Sequence, residues 1–209
     1  MKDSVTKSDR HAVVAAIKDA ELKTSGEIIV VVAKQSDDYV HVPIHIAAGM
    51  ALAVPFVLPW LARFFPWASV TLWWFFAVQL IMFIVIALGL SQSWFRYLVT
   101  PRRLMRKYAH RNAATQFLAV NAHGTRTGVL IFVSLLERYV EIVADTAIAA
   151  KVSHADWQRI IDQMLPLLKA QKLTEALELG VEHSGEKLAK HFPPSAANPN
   201  ELPDHFIVL

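Results

Sequence analysis

The chain contains no cysteine among its 209 residues. That absence removes disulfides, thiolate metal sites and a cysteine nucleophile from consideration. No signal peptide is expected either. "MKDSVTKSDRHAVV" has no apolar core of the right length and no small-residue cleavage site, so the start of the chain is expected to stay in the cytoplasm. No terminal Cys and no Gly at position 2 argue against lipid anchoring. There is no P-loop, no dinucleotide fingerprint and no Ser-His-Asp set. His110, His123, His183 and His191 show no ligand spacing. His41 and His45 are four apart, but Pro43 lies between them and no acidic partner follows.

Charge is absent from two long stretches, and there the 54% hydrophobic content is concentrated. "PIHIAAGMALAVPFVLPWLA" and "VTLWWFFAVQLIMFIVIALGL" each approach the ~20 residues a helix needs to span a bilayer. Neither shows the polar stripe of a helix lying on a globular core. The pattern predicts a transmembrane hairpin with spans of about 43–62 and 70–90. Pro55 and Pro59 are tolerated in membrane helices. The connecting "RFFPWAS" holds one Arg, whereas "RYLVTPRRLMRKYAHR" after the second span is strongly basic. The positive-inside rule therefore puts both termini in the cytoplasm, in a bacterial inner (cell) membrane. Trp60, Trp67, Trp73 and Trp74 are expected near the outer interface, and Trp94 and Tyr97 near the inner one. Arg96, Arg102, Arg103, Arg106, Lys107 and Arg111 follow a span directly, so anionic lipid headgroups are their expected partner and nucleic acid is not.

The remainder reads as an α/β domain. Ser8 can cap a helix running to about Leu22, and "EIIVVVA" (27–33) is a continuous β-branched run typical of a buried strand. Pro101 suits the first turn of a helix reaching Phe117 or Ala119, and "NAHGTRTG" is loop-like. Val129–Ser134 and Tyr139–Ala144 read as strands joined by "LLER". Ser153 caps a helix ending near Lys169, with Pro166 implying a kink or late break. Thr174–His191 forms the last helix, with Leu177, Val181 and Leu188 inward. The strand–helix–strand order makes the first two strands parallel, and the hairpin makes the third antiparallel to the second. The expected fold class is α/β: a small mixed β-sheet flanked by helices and interrupted by a two-helix transmembrane hairpin. Its parts are 1–40, the hairpin region 41–95, 96–192 and a Pro-rich tail 193–209.

"SGEIIVVVA", "RTGVLIFVSLLERYVEIVAD" and "WQRIIDQMLPLLKAQKLTEALELGVEHSGEKLAKHF" together resemble the TPM domain family, in the form of a membrane-anchored bacterial member. That family includes a plant thylakoid-lumen acid phosphatase and many bacterial membrane proteins. The resemblance implies a small mixed sheet flanked by helices and, in some members, a divalent-metal site or weak phosphatase activity. One departure bears on the chemistry. "ADTAIAAKVSHADWQ" has no glycine where members carry a Gly-rich turn, and His154 stands where they place an acid.

The acids able to do chemistry are Asp37, Asp38, Asp145 and Asp156. The topology puts Asp37 and Asp38 at one end of the sheet and Asp145 at the other, about 20 Å away. Asp145 is then grouped with Thr24, Ser25, Arg126 and the helix start at Ser153, His154 and Asp156. Arg126, Ser153 and His154 form a candidate phosphate site. Asp145 and Asp156 form a candidate metal site, for which the fitting ion is Ca²⁺ or Mg²⁺. No motif requires a cofactor. The competing reading has Asp145 ending a strand and Ser153 with Asp156 capping a helix. The expected function is a membrane protein presenting a cytoplasmic TPM-like domain, a non-catalytic accessory or adaptor. Its partner would be an unidentified protein or a second copy of the chain. The alternative is a metal-dependent phosphatase acting at the Asp145 edge. The apolar end of "NELPDHFIVL" suits strand addition, either to a partner's sheet or to its own.

Overall fold

The computed structural model describes residues 6–64, 72–121, 128–194 and 206–209. Among these, the helices are α1 (Lys7–Glu21), α2 (His41–Ala62), α3 (Leu72–Leu90), α4 (Ser93–Val99), α5 (Arg102–Asn121), α6 (Thr146–Ala149), α7 (His154–Lys169) and α8 (Leu173–His191). The strands are β1 (Glu27–Ala33), β2 (Gly128–Ser134), β3 (Tyr139–Ala144) and β4 (Phe206–Val208). Two compact units result, Met1–Ser36 with Arg106–Leu209, and Asp37–Met105.

The first unit is built on one mixed sheet in the order β3-β2-β1-β4. β1 and β2 are parallel from Glu27 opposite Gly128 to Ala33 opposite Ser134, and β2 and β3 are antiparallel, as the element order requires. β1 and β2 are apolar throughout because both faces of the sheet are covered, and all their residues are buried. Alternation of side chains divides them between two cores. Ile28, Val30 and Val32 join Val129 and Ile131, Ile17 of α1, Trp157 and Met164 of α7 and Leu177 and Val181 of α8. Ile29, Val31, Leu130 and Phe132 meet Ala113 and Phe117 of α5 on the other face. α1 and α8 approach so closely that a Cβ on Gly185 would stand 2.8 Å from that of Ala20.

Helix starts follow local chemistry, with some shifts from the expected positions. α1 is capped by Thr6 rather than Ser8. The Asp9 N–H donates to Thr6 Oγ1 (3.2 Å) and the Thr6 N–H to Asp9 Oδ2 (2.9 Å), a reciprocal box that satisfies two free donors. Pro101 stands just before α5, where its carbonyl accepts from Met105 (3.1 Å). α7 runs through Pro166 to Lys169. The short helices α4 and α6 were not expected.

The tail contributes the fourth strand. β4 lies parallel to β1, Val30 opposite Phe206 and Val32 opposite Val208. The Leu209 N–H donates to Val32 O (2.9 Å) and the Lys34 N–H to Leu209 O (3.2 Å). Phe206 is 1% exposed within the first core, and Arg10 Nη2 donates to its carbonyl (3.3 Å). Strand addition therefore occurs on the chain's own sheet.

In the second unit α2 packs against α3. α2 buries Ala47, Ala51 and Val54, spaced four and three apart, while Leu52, Phe56 and Trp60 are exposed. Trp73, Trp74, Phe76, Leu80, Ile81, Val85 and Leu88 of α3 are exposed too. Only Trp73–Leu90 is long and apolar enough, among the described residues, to cross a membrane; the apolar part of α2, His41–Val57, is shorter. Of the expected pair of spans, one helix qualifies among the described residues. Trp67, Val70 and the Trp94 side chain lie outside the described residues.

Candidate functional site

The register separates the acids as the topology required. Val129 pairs with Ala144 at one end of the β2–β3 ladder and Ser134 with Tyr139 at the other. Asp145 follows Ala144, whereas the chain bound for Asp37 leaves β1 at the Ser134 end. Asp145 continues the ladder, its N–H donating to Gly128 O (3.1 Å), and then caps α6. Its Oδ1 accepts from both the Thr146 N–H and Oγ1.

Ser153 caps α7 as its sequence position indicates, with Oγ accepting from the Asp156 N–H (3.2 Å) and donating to Asp156 Oδ2 (2.5 Å). Asp156 Oδ1 also accepts from Lys187 Nζ of α8 (2.9 Å) and Arg159 Nη2 (3.0 Å). The Ser153 hydrogen bond, then that of Lys187, holds this carboxyl well below the usual carboxylate range. Asp145 and Asp156 thus have separate partners. His154 is exposed in the first turn of α7, and Arg126 lies outside the described residues. Thr24 and Ser25, grouped with Asp145 from sequence, serve another junction. The Thr24 Oγ1 (2.7 Å) and the Ser25 N–H (3.1 Å) both donate to Phe192 O at the end of α8. Among the described residues no group of three or more His, Cys, Asp or Glu is placed to hold a metal ion.

The basic segment divides into two roles. Arg96 in α4 donates from Nη1 to Asp38 O (2.8 Å) and from Nη2 to Ser91 O (2.7 Å). Its guanidinium thereby joins the segment before α2 to the segment after α3. Tyr39, fully buried, packs edge-on to Tyr97 in the same unit at 6.1 Å. Arg102, Arg103, Arg106, Lys107 and Arg111 are instead exposed along α5.

One cluster escaped the sequence reading. His110 Nδ1 meets both carboxylate oxygens of Glu141 (2.8 and 3.0 Å), and the Tyr139 hydroxyl donates to Glu141 Oε2 (3.0 Å). Burial, with the Glu141 charge beside it, raises the Tyr139 hydroxyl above its ordinary pKa. The only available signal was Glu141 interrupting the apolar β3. Its histidine comes from α5, so sequence spacing could not reveal the pair. Glu21 is also perturbed. Burial raises its carboxyl to about 7 while Oε1 accepts from the Ile28 N–H (2.9 Å).

With this geometry in hand, comparison with known proteins is informative. Residues 96–187 match the family model described as the TPM domain. This stretch is similar to a TPM domain. Over 100% of this chain and 98% of the other, the fold is similar to an NMR structure of the BA42 protein from the psychrophilic bacterium Bizionia argentinensis, at 20% identity and a TM-score of 0.59. No curated protein matches. These likenesses carry the TPM domain and the α/β fold, and neither speaks to membrane anchoring or to chemistry.

Proposed function

We propose that the chain is an integral protein of the bacterial inner membrane that presents its TPM domain to the cytoplasm, as a non-catalytic accessory to a protein partner or a second copy. The observation that carries this reading is α3, whose Trp73–Leu90 stretch is apolar, long enough to span and unburied. Exposed apolar area costs roughly 25 cal/mol per Å² in water, so a row of Trp, Phe, Ile and Leu side chains calls for an apolar surrounding. The pairing of β1 with β2 adds a topological constraint. A chain whose flanking strands share one sheet must return to the side it left, so a crossing by α3 requires a second by α2. The basic residues after α3 favour the cytoplasmic side.

The accessory role draws support from how the acids are used. Asp145 caps a helix, Asp156 is held by Ser153, Lys187 and Arg159, and Glu141 by His110 and Tyr139. Each carboxylate is committed to a neighbour in its own fold.

The anchor is tested by alkaline carbonate extraction and by a reporter fused after Leu209. Retention in the membrane with a cytoplasmic signal is expected, and release or a periplasmic signal overturns it. The accessory reading is tested with a generic phosphate ester and Mg²⁺, Mn²⁺ or Ca²⁺. Metal-dependent turnover abolished by Asp145→Ala or Asp156→Ala would replace it with a phosphatase.

A further inference from the structure

Helix α5 carries cations on the side it leaves exposed. Met105, Ala109 and Ala113, four apart, are buried. Arg106, Lys107, His110 and Arg111 are exposed, and Arg102 and Arg103 precede them on the same helix. No acidic residue occurs between Arg102 and Asn121. Like charges four apart, as in Arg102–Arg106 and Lys107–Arg111, repel and disfavour the helix. A water-exposed helical face is normally relieved by interspersed acids. Among the described residues, relief reaches only His110, from Glu141 on β3. Arg106 and Lys107 have no ion-pair partner among the described residues, and Arg111 lies over the Tyr108 ring at 5.8 Å. Two turns beyond Arg111, Leu118 is 70% exposed on the same side of the helix.

We propose that this face of α5 rests on the anionic headgroups of a lipid bilayer, with Arg106, Lys107 and Arg111 taking lipid phosphates and Leu118 reaching the acyl boundary. The inference rests on the membrane-anchored reading and names the lipid class that the anchored domain contacts. Charge complementarity supplies the attraction. Continuity supplies the occupant, since only residues 91–101 separate α5 from the apolar α3. The exposed leucine favours a bilayer over RNA, because a phosphodiester backbone offers nothing to an aliphatic side chain. The one aromatic ring within the basic run, Tyr108, is half-buried, so no stacking platform for bases accompanies the cations.

The cysteine-free sequence permits a clean test on the full chain. A nitroxide is attached at Thr115→Cys, an exposed position one turn beyond Arg111. The labelled protein is placed in nanodiscs of phosphatidylcholine alone or with about a third phosphatidylglycerol, the anionic component whose attraction is under test. Accessibility of the label to a water-soluble nickel chelate is expected to fall several-fold in the anionic discs only. About 1 M salt, with a screening length near 3 Å, should restore it. At about fivefold in association per cation, the triple variant Arg106→Glu, Lys107→Glu, Arg111→Glu should lose roughly a hundredfold or more. The charge-keeping variant Arg106→Lys, Lys107→Arg, Arg111→Lys should behave like the parent, which separates loss of charge from loss of fold. Equal accessibility in neutral and anionic discs overturns the proposal while leaving the anchor intact. So does protection by a single-stranded RNA in neutral discs with none from anionic lipid. A chain that fails to enter the discs overturns the anchor reading and this inference with it.

Discussion

β1 and α3 are both apolar, both uncharged in their interiors and both rich in large side chains, yet they meet opposite surroundings. Each residue of β1 is buried between helices on the two sheet faces, whereas Trp73 of α3 is 83% exposed. The difference lies in what the neighbouring sequence supplies. β1 is covered by helices with apolar stripes, α1, α7 and α8 on one face and α5 on the other. α3 has no polar stripe and its helical neighbour α2 covers one side at most. Hydrophobicity sets how much surface must be hidden, and patterning sets what hides it.

The sharpest way to break that comparison is to put a charge into each region. Ile131→Asp, at a fully buried position of β2, should abolish the folded domain, because an unpaired buried carboxylate costs several kcal/mol against a total stability of about 5–15. Loss of near-ultraviolet circular dichroism and rapid proteolysis of the strands would report it. Removing the aromatic anchor of β4 with Phe206→Ala should cost about 3–5 kcal/mol, read as a lower melting temperature with α2 and α3 unaffected. A melt unchanged by this variant would show that β4 adds nothing to the core. The next effect separates lipid from water around α3. Ile84→Arg at its centre should cost about 2.5–3.5 kcal/mol of insertion in a bilayer but under about 0.5 kcal/mol in water. Carbonate extraction of the variant distinguishes the two.

The smallest effect concerns pH. Glu21 titrates at about 7 in the folded domain against 4.5 ordinarily. The folded state therefore holds this proton more tightly, and the stability associated with it is full below pH 4.5, declines as pH rises through about 7 and is lost above. Glu21→Gln keeps the oxygen that accepts from Ile28 and removes the charge. Allowing for its partial exposure, the substitution should stabilise by about 1 kcal/mol above the upper value and by nothing below the lower one. A pH-independent difference in melting temperature would refute the assignment.

Much of the sheet was legible because its signals are local. The β-branched run 27–33 and the apolar run 139–144 coincide with β1 and β3, and Ser153 followed by Asp156 marked the start of α7. The parallel and antiparallel pairings followed from connection length alone. β4 is only three residues long, too short for periodicity to separate its own sheet from a partner's. Arg96 read as one more cation in a basic run, because its carbonyl partners come from two distant segments. His110 and Glu141, 31 residues apart, meet only when α5 lies on the sheet. Asp145 caps a four-residue helix, a motif too small to stand out from any other turn.

The placement of β1 between β2 and β4 has a consequence in time. β1 is made early, but its parallel partner begins at Gly128 and its other neighbour at Phe206. At ~5–20 residues per second of synthesis, a strand reading "EIIVVVA" waits about 5–20 seconds before its first partner exists. An unpaired, β-branched segment with a single charge at its first residue is the kind that pairs with copies of itself. During that interval the chain's protection against self-association must come from α1, already synthesised and able to shield one side, and from whatever receives the nascent chain.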